Sequence, residues 1–252
     1  MTAEDRAPAA DAFTRALLEE IGHEFRTPLS SILGHQELLS EGILGELDEK
    51  VGHAVDRIGV AARQLTHLVN GAVDLAGLAV GNPPSPELES LSIAHLNEDV
   101  EAYALALARE GAPFEVRGGG SARLVQTDAK RLERVLILAT TAVAREAPSG
   151  RIVITLPGVE DAEDGWLRAT WLGPGGDWLW IPAPGAGGSA MEVLTAALEA
   201  IPAAGEGAPP GSWLRVAVAA VTAALIGGRL RFVPGDAESR LEMALPGPAA
   251  EV

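Results

Sequence analysis

The sequence predicts two domains of different class, an all-helical hairpin followed by a mixed α/β domain. Three observations predict it. Apolar residues keep helical spacing from residue 11 to about residue 80 with a single break. The stretch Gly81-Asn82-Pro83-Pro84-Ser85-Pro86 cannot continue a helix. Beyond it, helical stripes alternate with short β-branched runs.

The first helix reads from residue 11 to 43, because Leu18, Phe25, Leu29, Ile32, Leu39 and Ile43 fall on one stripe. Gly42-Ile43-Leu44-Gly45 marks the break. In the second helix Leu47, Val51, Ala54, Ile58, Ala61, Leu65, Leu68, Ala72 and Leu75 alternate in steps of four and three, a sustained heptad seam. A lone two-helix hairpin buries such stripes poorly, so a homodimeric four-helix bundle is expected, with packing on the chain's own second domain as the alternative. The predicted division is a disordered N-terminus over 1–10, the hairpin over 11–80, a linker over 81–91, the α/β domain over 92–247 and a tail over 248–252. Within the α/β domain Leu96, Val100, Tyr103 and Leu107 make a helical stripe. Strands are expected at Phe114–Val116, Arg151–Leu156, Trp166–Trp171, Arg229–Val233 and Leu241–Leu245. Helices are expected from Asp128 to Glu146 and from Ser212 to Leu225, the latter stopped by Gly227-Gly228. Residues 173–188 and 202–211 read as Gly/Pro/Ala-rich loops.

Composition narrows the function classes. With 47% hydrophobic residues in 252, two modest cores are expected. The absence of cysteine removes disulfides, thiolate metal sites and cysteine nucleophiles and fits a reducing cytoplasm. A net charge of −16, from 35 acids and 19 bases, argues against nucleic acid as a partner. No signal peptide is evident in MTAEDRAPAADAF, and the longest apolar run, Trp213 to Ile226, is short and interrupted by Arg215. A cytoplasmic protein is therefore expected, away from membranes and receiving its input through a partner.

One short run carries the chemistry: His23-Glu24-Phe25-Arg26-Thr27-Pro28-Leu29. His23 lies beside the apolar stripe and faces outward. Phosphoryl transfer to an imidazole needs a neutral nitrogen in line with phosphorus and little other covalent chemistry. The run resembles the phosphoacceptor box of the sensor histidine kinases of bacterial two-component signalling. The resemblance implies that His23 carries phosphate and that Glu24 accepts the proton from the far ring nitrogen. It also implies that Thr27 orients water for dephosphorylating a partner aspartate. Arg26 is placed to meet phosphate charge, and Pro28 is expected to bend the helix. His35, His53, His67 and His95 have no comparable surroundings and no metal-ligand spacing, so they read as structural or solvent residues.

Residues 92–247 resemble the ATPase domain of the same kinases, a Bergerat-type α/β sandwich, in outline only. Asp128-Ala-Lys-Arg131-Leu132-Glu-Arg-Val135-Leu136 matches the start of the helix that carries the family's N box. Leu138 and Ala142 stand where the family has asparagines, one of them a magnesium ligand, and neither offers the oxygen that a hard cation needs. The adenine-binding D-x-G-x-G box reads Trp171-Leu-Gly173-Pro-Gly175, and an indole cannot accept the adenine hydrogen bond. The last glycine-rich box reads Gly211-Ser-Trp213-Leu-Arg215-Val, with Trp213 and Arg215 in place of glycines that let backbone approach phosphate. Arg215 and Arg145 are candidates for another anion, for partner contacts or for plain surface. Trp171, Trp178 and Trp180 group around the eroded pocket, either as a protein-binding surface or as filled-in core.

The resemblance implies a dimeric histidine phosphotransfer protein on a degenerate kinase scaffold. His23 would exchange a phosphoryl group with the aspartates of response-regulator receiver domains, without autophosphorylation from ATP. No metal or cofactor is expected on this chain; magnesium is expected on the partner receiver. Three alternatives stay open: a response-regulator phosphatase, a non-catalytic pseudokinase scaffold, and a divergent active histidine kinase.

Overall fold

The computed structural model describes residues 3–83, 85–108, 114–117, 124–147, 151–155, 166–177, 179, 189–199 and 212–246. The chain divides into two compact units, Met1–Pro84 and Ser85–Val252.

The first unit is the expected hairpin of α1 (Ala3–Ser40) and α2 (Glu49–Ala79). The helix begins at Ala3, ahead of the start at residue 11 read from the apolar stripe. The alanines at 3, 7, 9 and 10 favour helix without creating the apolar stripe by which a helix is recognised. It continues unbroken through Pro28. α1 ends on Gly42, whose φ of 72° suits a residue without Cβ. There Gly42 N–H donates to the Leu39 carbonyl and Ile43 N–H to the Leu38 carbonyl, the paired bonds of a Schellman stop. The same stop closes α2 at Gly81, where Asn82 N–H reaches the Gly77 carbonyl at 2.9 Å. The Asp48 carboxylate caps the other end of α2 by accepting from Val51 N–H at 3.0 Å.

The two helices meet along small residues. Leu29 and Gly22 of α1 are buried, and the side of α2 that meets α1 carries Val55, Gly59 and Ala62, also buried, together with Asn70 and Val73. A Cβ on Gly22 would stand 2.9 Å from Val73 Cγ2, and one on Gly59 would stand 2.5 Å from the Gln36 side chain. Substitution of either glycine therefore meets a neighbour that has to move. Leu29 apart, most large residues of the predicted stripes lie on a different face. Phe25, Ile32, Val51, Ile58 and Leu65 are exposed on the single chain, with Ile58 at 52%.

The second unit is an α/β sandwich. Its elements are β1 (Glu89–Ser92), α3 (Ile93–Ala108), β2 (Phe114–Arg117), β3 (Leu124–Thr127), α4 (Ala129–Glu146), β4 (Ile152–Thr155), β5 (Trp166–Pro174), α5 (Ala190–Glu199), α6 (Trp213–Leu225), β6 (Arg229–Val233) and β7 (Glu238–Pro246). The main sheet has strand order β2-β4-β5-β7-β6, with only β2 and β4 parallel. The helices α3, α4 and α6 pack on one face of it, and α5 packs on α6. α6 ends in the third Schellman stop, at Gly227.

Four expectations need correction. β1 occupies part of the stretch assigned to the linker, paired antiparallel with β3; both strands are largely polar and give little alternation to detect. β5 runs on to Pro174 and β7 starts at Glu238, because the two pair without interruption from Trp166 with Pro246 to Pro174 with Glu238. Residues 173 and 174 are thus strand, not loop. α5 was hidden in an alanine-rich stretch that shows no turn signals. The remainder of the expected loops over 180–188 and 202–211 lies outside the described residues.

The start of α4 ties this unit together. Asp128 Oδ1 accepts from Arg131 N–H at 3.0 Å, capping the helix, while Oδ2 takes Arg131 Nη1 at 2.8 Å and Glu87 N–H at 3.1 Å. Both members of the ion pair are buried. Removing one partner leaves the other charge unpaired in low dielectric. Asp128→Ala is expected to lower the unfolding free energy of the second unit by about 3 kcal/mol or more, read by urea denaturation followed by circular dichroism. A loss below about 1 kcal/mol would show that Arg131 finds another partner.

Candidate functional site

The acceptor run lies on the middle of α1, one turn of which is set by contacts to α2. Gly22 and Leu29 are buried against the second helix. His23 and Glu24 between them are exposed, so the imidazole stands on the solvent side of the helix as its position beside the stripe predicts. Arg26 is half-buried and reaches across the hairpin, its Nε donating to Asn70 Oδ1 at 2.7 Å. That guanidinium is engaged in the helix–helix interface, and a role on phosphate requires it to leave Asn70. Thr27, one turn beyond His23, donates its hydroxyl back to the His23 carbonyl at 3.2 Å. This back-bond leaves the Thr27 oxygen able to accept but occupies its proton. Pro28 has no N–H to offer the Glu24 carbonyl, which is the fourth residue before it. The run therefore places His23, Glu24 and Thr27 at the surface and Arg26 in the interface.

Asn70 was not singled out from the sequence. The signal existed: facing positions of an antiparallel hairpin have residue numbers that add to nearly the same total, as 22 with 73, 26 with 70 and 36 with 59 do.

The pocket positions of the second unit are filled. Leu138 and Ala142, on α4, each have 0% exposure. Trp171, on β5, is likewise at 0%, and its indole N–H donates to Thr140 Oγ1 at 2.9 Å. The next residue of α4, Thr141, donates to the Ile137 carbonyl and is bonded to the Tyr103 hydroxyl, both at 2.8 Å. Of the two readings of the tryptophan group, filled-in core holds for Trp171; Trp178 and Trp180 lie outside the described residues. The glycines that follow have a packing reason. A Cβ on Gly175 would collide with the backbone of Asp236 in the β6–β7 turn. That turn is held by Gly176 N–H on the Gly235 carbonyl at 2.9 Å and by the buried Ser239 hydroxyl, which donates to the Gly176 carbonyl at 2.5 Å. Their retention is explained without a ligand.

At the start of α6, Trp213 and Arg215 are half-buried. Ser212 leaves the helix end uncapped and donates instead to Glu146 Oε1 at 2.7 Å. The Arg215 guanidinium is held below its ordinary pKa, first by burial and then by the like charge of Arg145, against the opposing pull of Tyr103 and Glu146. The residues at the magnesium and adenine positions do not fit those ligands: Leu138 and Ala142 carry no oxygen donor, and Trp171 points its only polar atom at Thr140. Among the described residues no cluster of three histidines or acids could hold a metal ion, and no helix is long and apolar enough to cross a membrane.

Residues 14–78 match the His Kinase A (phospho-acceptor) domain, which spans the whole acceptor run and both helices. Over these residues the chain is similar to the phospho-acceptor domain of the two-component sensor histidine kinases. Sensor histidine kinase AruS of Pseudomonas aeruginosa is 38% identical over 110 residues, 44% of this chain and 11% of that protein. Sensor protein DivL of Caulobacter vibrioides is 28% identical over 156 residues, 60% of this chain and 20% of that protein. The matched stretches are thus a tenth to a fifth of these two relatives' length. Full-length ShkA, solved in complex with AMPPNP, superposes with a TM-score of 0.52 at 20% identity, covering 94% of this chain and 47% of that one. That likeness establishes the fold: a kinase-type helical hairpin followed by an ATPase-type α/β sandwich.

Trp171 is a fully buried part of the second unit's core. Trp171→Phe keeps the ring volume in part and removes the bond to Thr140, so it is expected to cost about 1–3 kcal/mol of stability. Trp171→Ala is expected to cost about 3–5 kcal/mol. Neither is expected to create binding of a fluorescent ATP analogue, because Leu138 and Ala142 remain. Nucleotide binding gained by Trp171→Ala alone would show that the indole is the sole obstacle.

Proposed function

We propose that this chain is a dimeric histidine phosphotransfer protein whose His23 exchanges a phosphoryl group with receiver-domain aspartates of response regulators, without charging itself from ATP. The observation that carries the reading is the contrast between an exposed, complete acceptor run and a second unit whose magnesium and adenine positions hold fully buried Leu138, Ala142 and Trp171. In this reading the imidazole nitrogen of His23 attacks the phosphorus of the acyl phosphate in line, and the aspartate carboxylate leaves. Glu24 takes the proton released by the ring as the N–P bond forms. The receiver supplies the magnesium. Dimerisation accounts for the exposed stripes: Phe25, Ile32, Val51, Ile58 and Leu65 would pair with the same face of a second copy. A soluble, cytoplasmic setting fits the absence of cysteine and of any membrane-crossing helix among the described residues.

A second reading, a divergent active kinase, is favoured by the likeness to sensor histidine kinase AruS. Transfer separates the two. Wild type and His23→Ala are incubated with radiolabelled ATP and magnesium, and separately with a phosphorylated receiver domain. The proposal expects label on wild type from the receiver only and none on the variant. Label taken from ATP would establish the active kinase instead. Faster loss from the receiver without label on His23 would favour a phosphatase, and Thr27→Ala would then remove it while sparing any transfer. No effect of His23→Ala on any readout would favour the pseudokinase scaffold.

The dimer has its own test. Ile58→Glu with Leu65→Glu is expected to convert a dimer to a monomer in sedimentation at micromolar concentration. A wild type that sediments as a monomer would defeat the bundle.

A further inference from the structure

The face of the five-stranded sheet opposite α3, α4 and α6 carries the reverse charge to the rest of the chain. The register places its side chains in cross-strand rows. Arg168 of β5, Ala244 of β7 and Arg229 of β6 form one row. Arg117, Thr155, Thr170, Glu242 and Arg231 form the next, across all five strands. Glu115, Val153, Leu172, Arg240 and Val233 form the third, followed by Pro174 with Glu238. Arg151, just before β4, pairs with Glu115. Among the described residues of this face six arginines thus meet three glutamates, in a chain whose net charge is −16. A merely solvated face would be expected to share the chain's acidic excess; this one inverts it.

Two of the glutamates organise the arginines. The Glu242 carboxylate takes Arg231 Nε on one oxygen and Arg240 Nε on the other, both at 2.5 Å. Glu115 likewise takes Arg117 Nε at 2.8 Å and Arg151 through its other oxygen. Each carboxylate fixes two guanidiniums and leaves a surplus positive charge. Because Arg117, Arg231 and Arg240 are held through Nε, the outer nitrogens of each fork extend beyond the bond. All four of these arginines are exposed. Guanidiniums held in place lose less freedom when an anion binds.

We propose that this sheet face docks an acidic segment of a partner protein. The extent of the patch favours that occupant over a nucleic acid or an anionic bilayer. Five strands about 4.8 Å apart span about 20 Å. Screening confines their attraction to about 8 Å at physiological salt. A duplex or a bilayer reaches well past this area and meets the rest of the second unit, whose other charged residues are mostly acidic, whereas a run of glutamates or aspartates fits within it. The inference is independent of phosphate on His23.

The test uses the full chain and a fluorescein-labelled deca-glutamate peptide, followed by anisotropy at about 50 mM salt. Saturable binding is expected, weakening steeply with added salt. Arg231→Gln with Arg240→Gln is expected to weaken it about tenfold, and Glu242→Gln to tighten it. Tightening distinguishes docking from a structural role, since loss of Glu242 releases both arginines yet adds net positive charge. Melting curves show that each variant is folded, and His23→Ala is expected to bind as wild type. Equal affinity for all variants, or no binding at 1 mM peptide, would overturn the proposal. So would binding of a DNA duplex or phosphatidylserine vesicles that is at least as tight as the peptide's and lost in the double arginine variant.

Discussion

The indole of Trp171 sets what the second unit can be. It sits on β5 against α4, fully buried, with its one polar atom satisfied by Thr140. A nucleotide site in such a sandwich needs empty volume beside the sheet and oxygen donors lining it. Here the volume is occupied by the largest side chain available, and the helix opposite presents Leu138 and Ala142, both sealed from solvent. Next to the indole, Tyr103 is bonded to Thr141, Thr141 to the Ile137 carbonyl and Thr140 to the indole itself. Buried polar atoms that satisfy each other stabilise one packing and offer nothing to an incoming ligand.

The hairpin follows a different constraint. Its internal contact relies on small residues, Gly22, Gly59 and Ala62, which let the helix axes approach. The large apolar residues are left for the outer faces, where a single chain exposes them. One hairpin therefore carries two interfaces with two codes. Small residues close the hairpin, and a heptad of large ones awaits another surface. The acceptor histidine lies on neither. Its neighbours Gly22 and Arg26 are held by Val73 and Asn70 of α2, so the backbone beneath the imidazole is fixed while the ring stays accessible.

Much of this was legible in the sequence, for identifiable reasons. Helix ends were legible wherever a glycine stood past the last apolar position: Gly42, Gly81 and Gly227 all adopt φ between 72° and 75° and close Schellman stops. The helix α4 was legible from Asp128 to Glu146 because a capping acid and a dense apolar pattern agree. The acceptor run was legible because its order of residue types is specific. The heptad was legible as a pattern but not its orientation: periodicity reports that a face is apolar, not which neighbour covers it, and the hairpin's own seam of glycine and alanine has no hydrophobic signature. β1, β3 and the ends of β5 and β7 were missed because polar strands and a Gly-Pro-Gly segment look like loop until their partners are known. The arginine-rich sheet face was invisible for the same reason, since its members come from five segments spread from residue 115 to residue 244.

The two units also differ in how readily function can be lost. An acceptor histidine makes local demands: one turn of helix, an exposed ring and an acid beside it. A nucleotide site makes distributed ones: backbone free to approach phosphate, an acceptor for adenine, oxygen for magnesium and room for all three. On the proposed reading each of these fails through a different element, α4, β5 and the start of α6, and the replacements on α4 and β5 are fully buried. Gly175 is retained because Asp236 backbone leaves no space for a Cβ, so even the surviving signature residue now answers to packing. A site of that kind is not restored by one substitution, because emptying the Trp171 volume removes core without returning an oxygen to positions 138 and 142. On the proposed reading, that asymmetry is why the acceptor run stays complete on a scaffold that no longer accommodates the donor: its phosphate can come from a receiver, whose magnesium and acyl phosphate replace everything the second unit has lost.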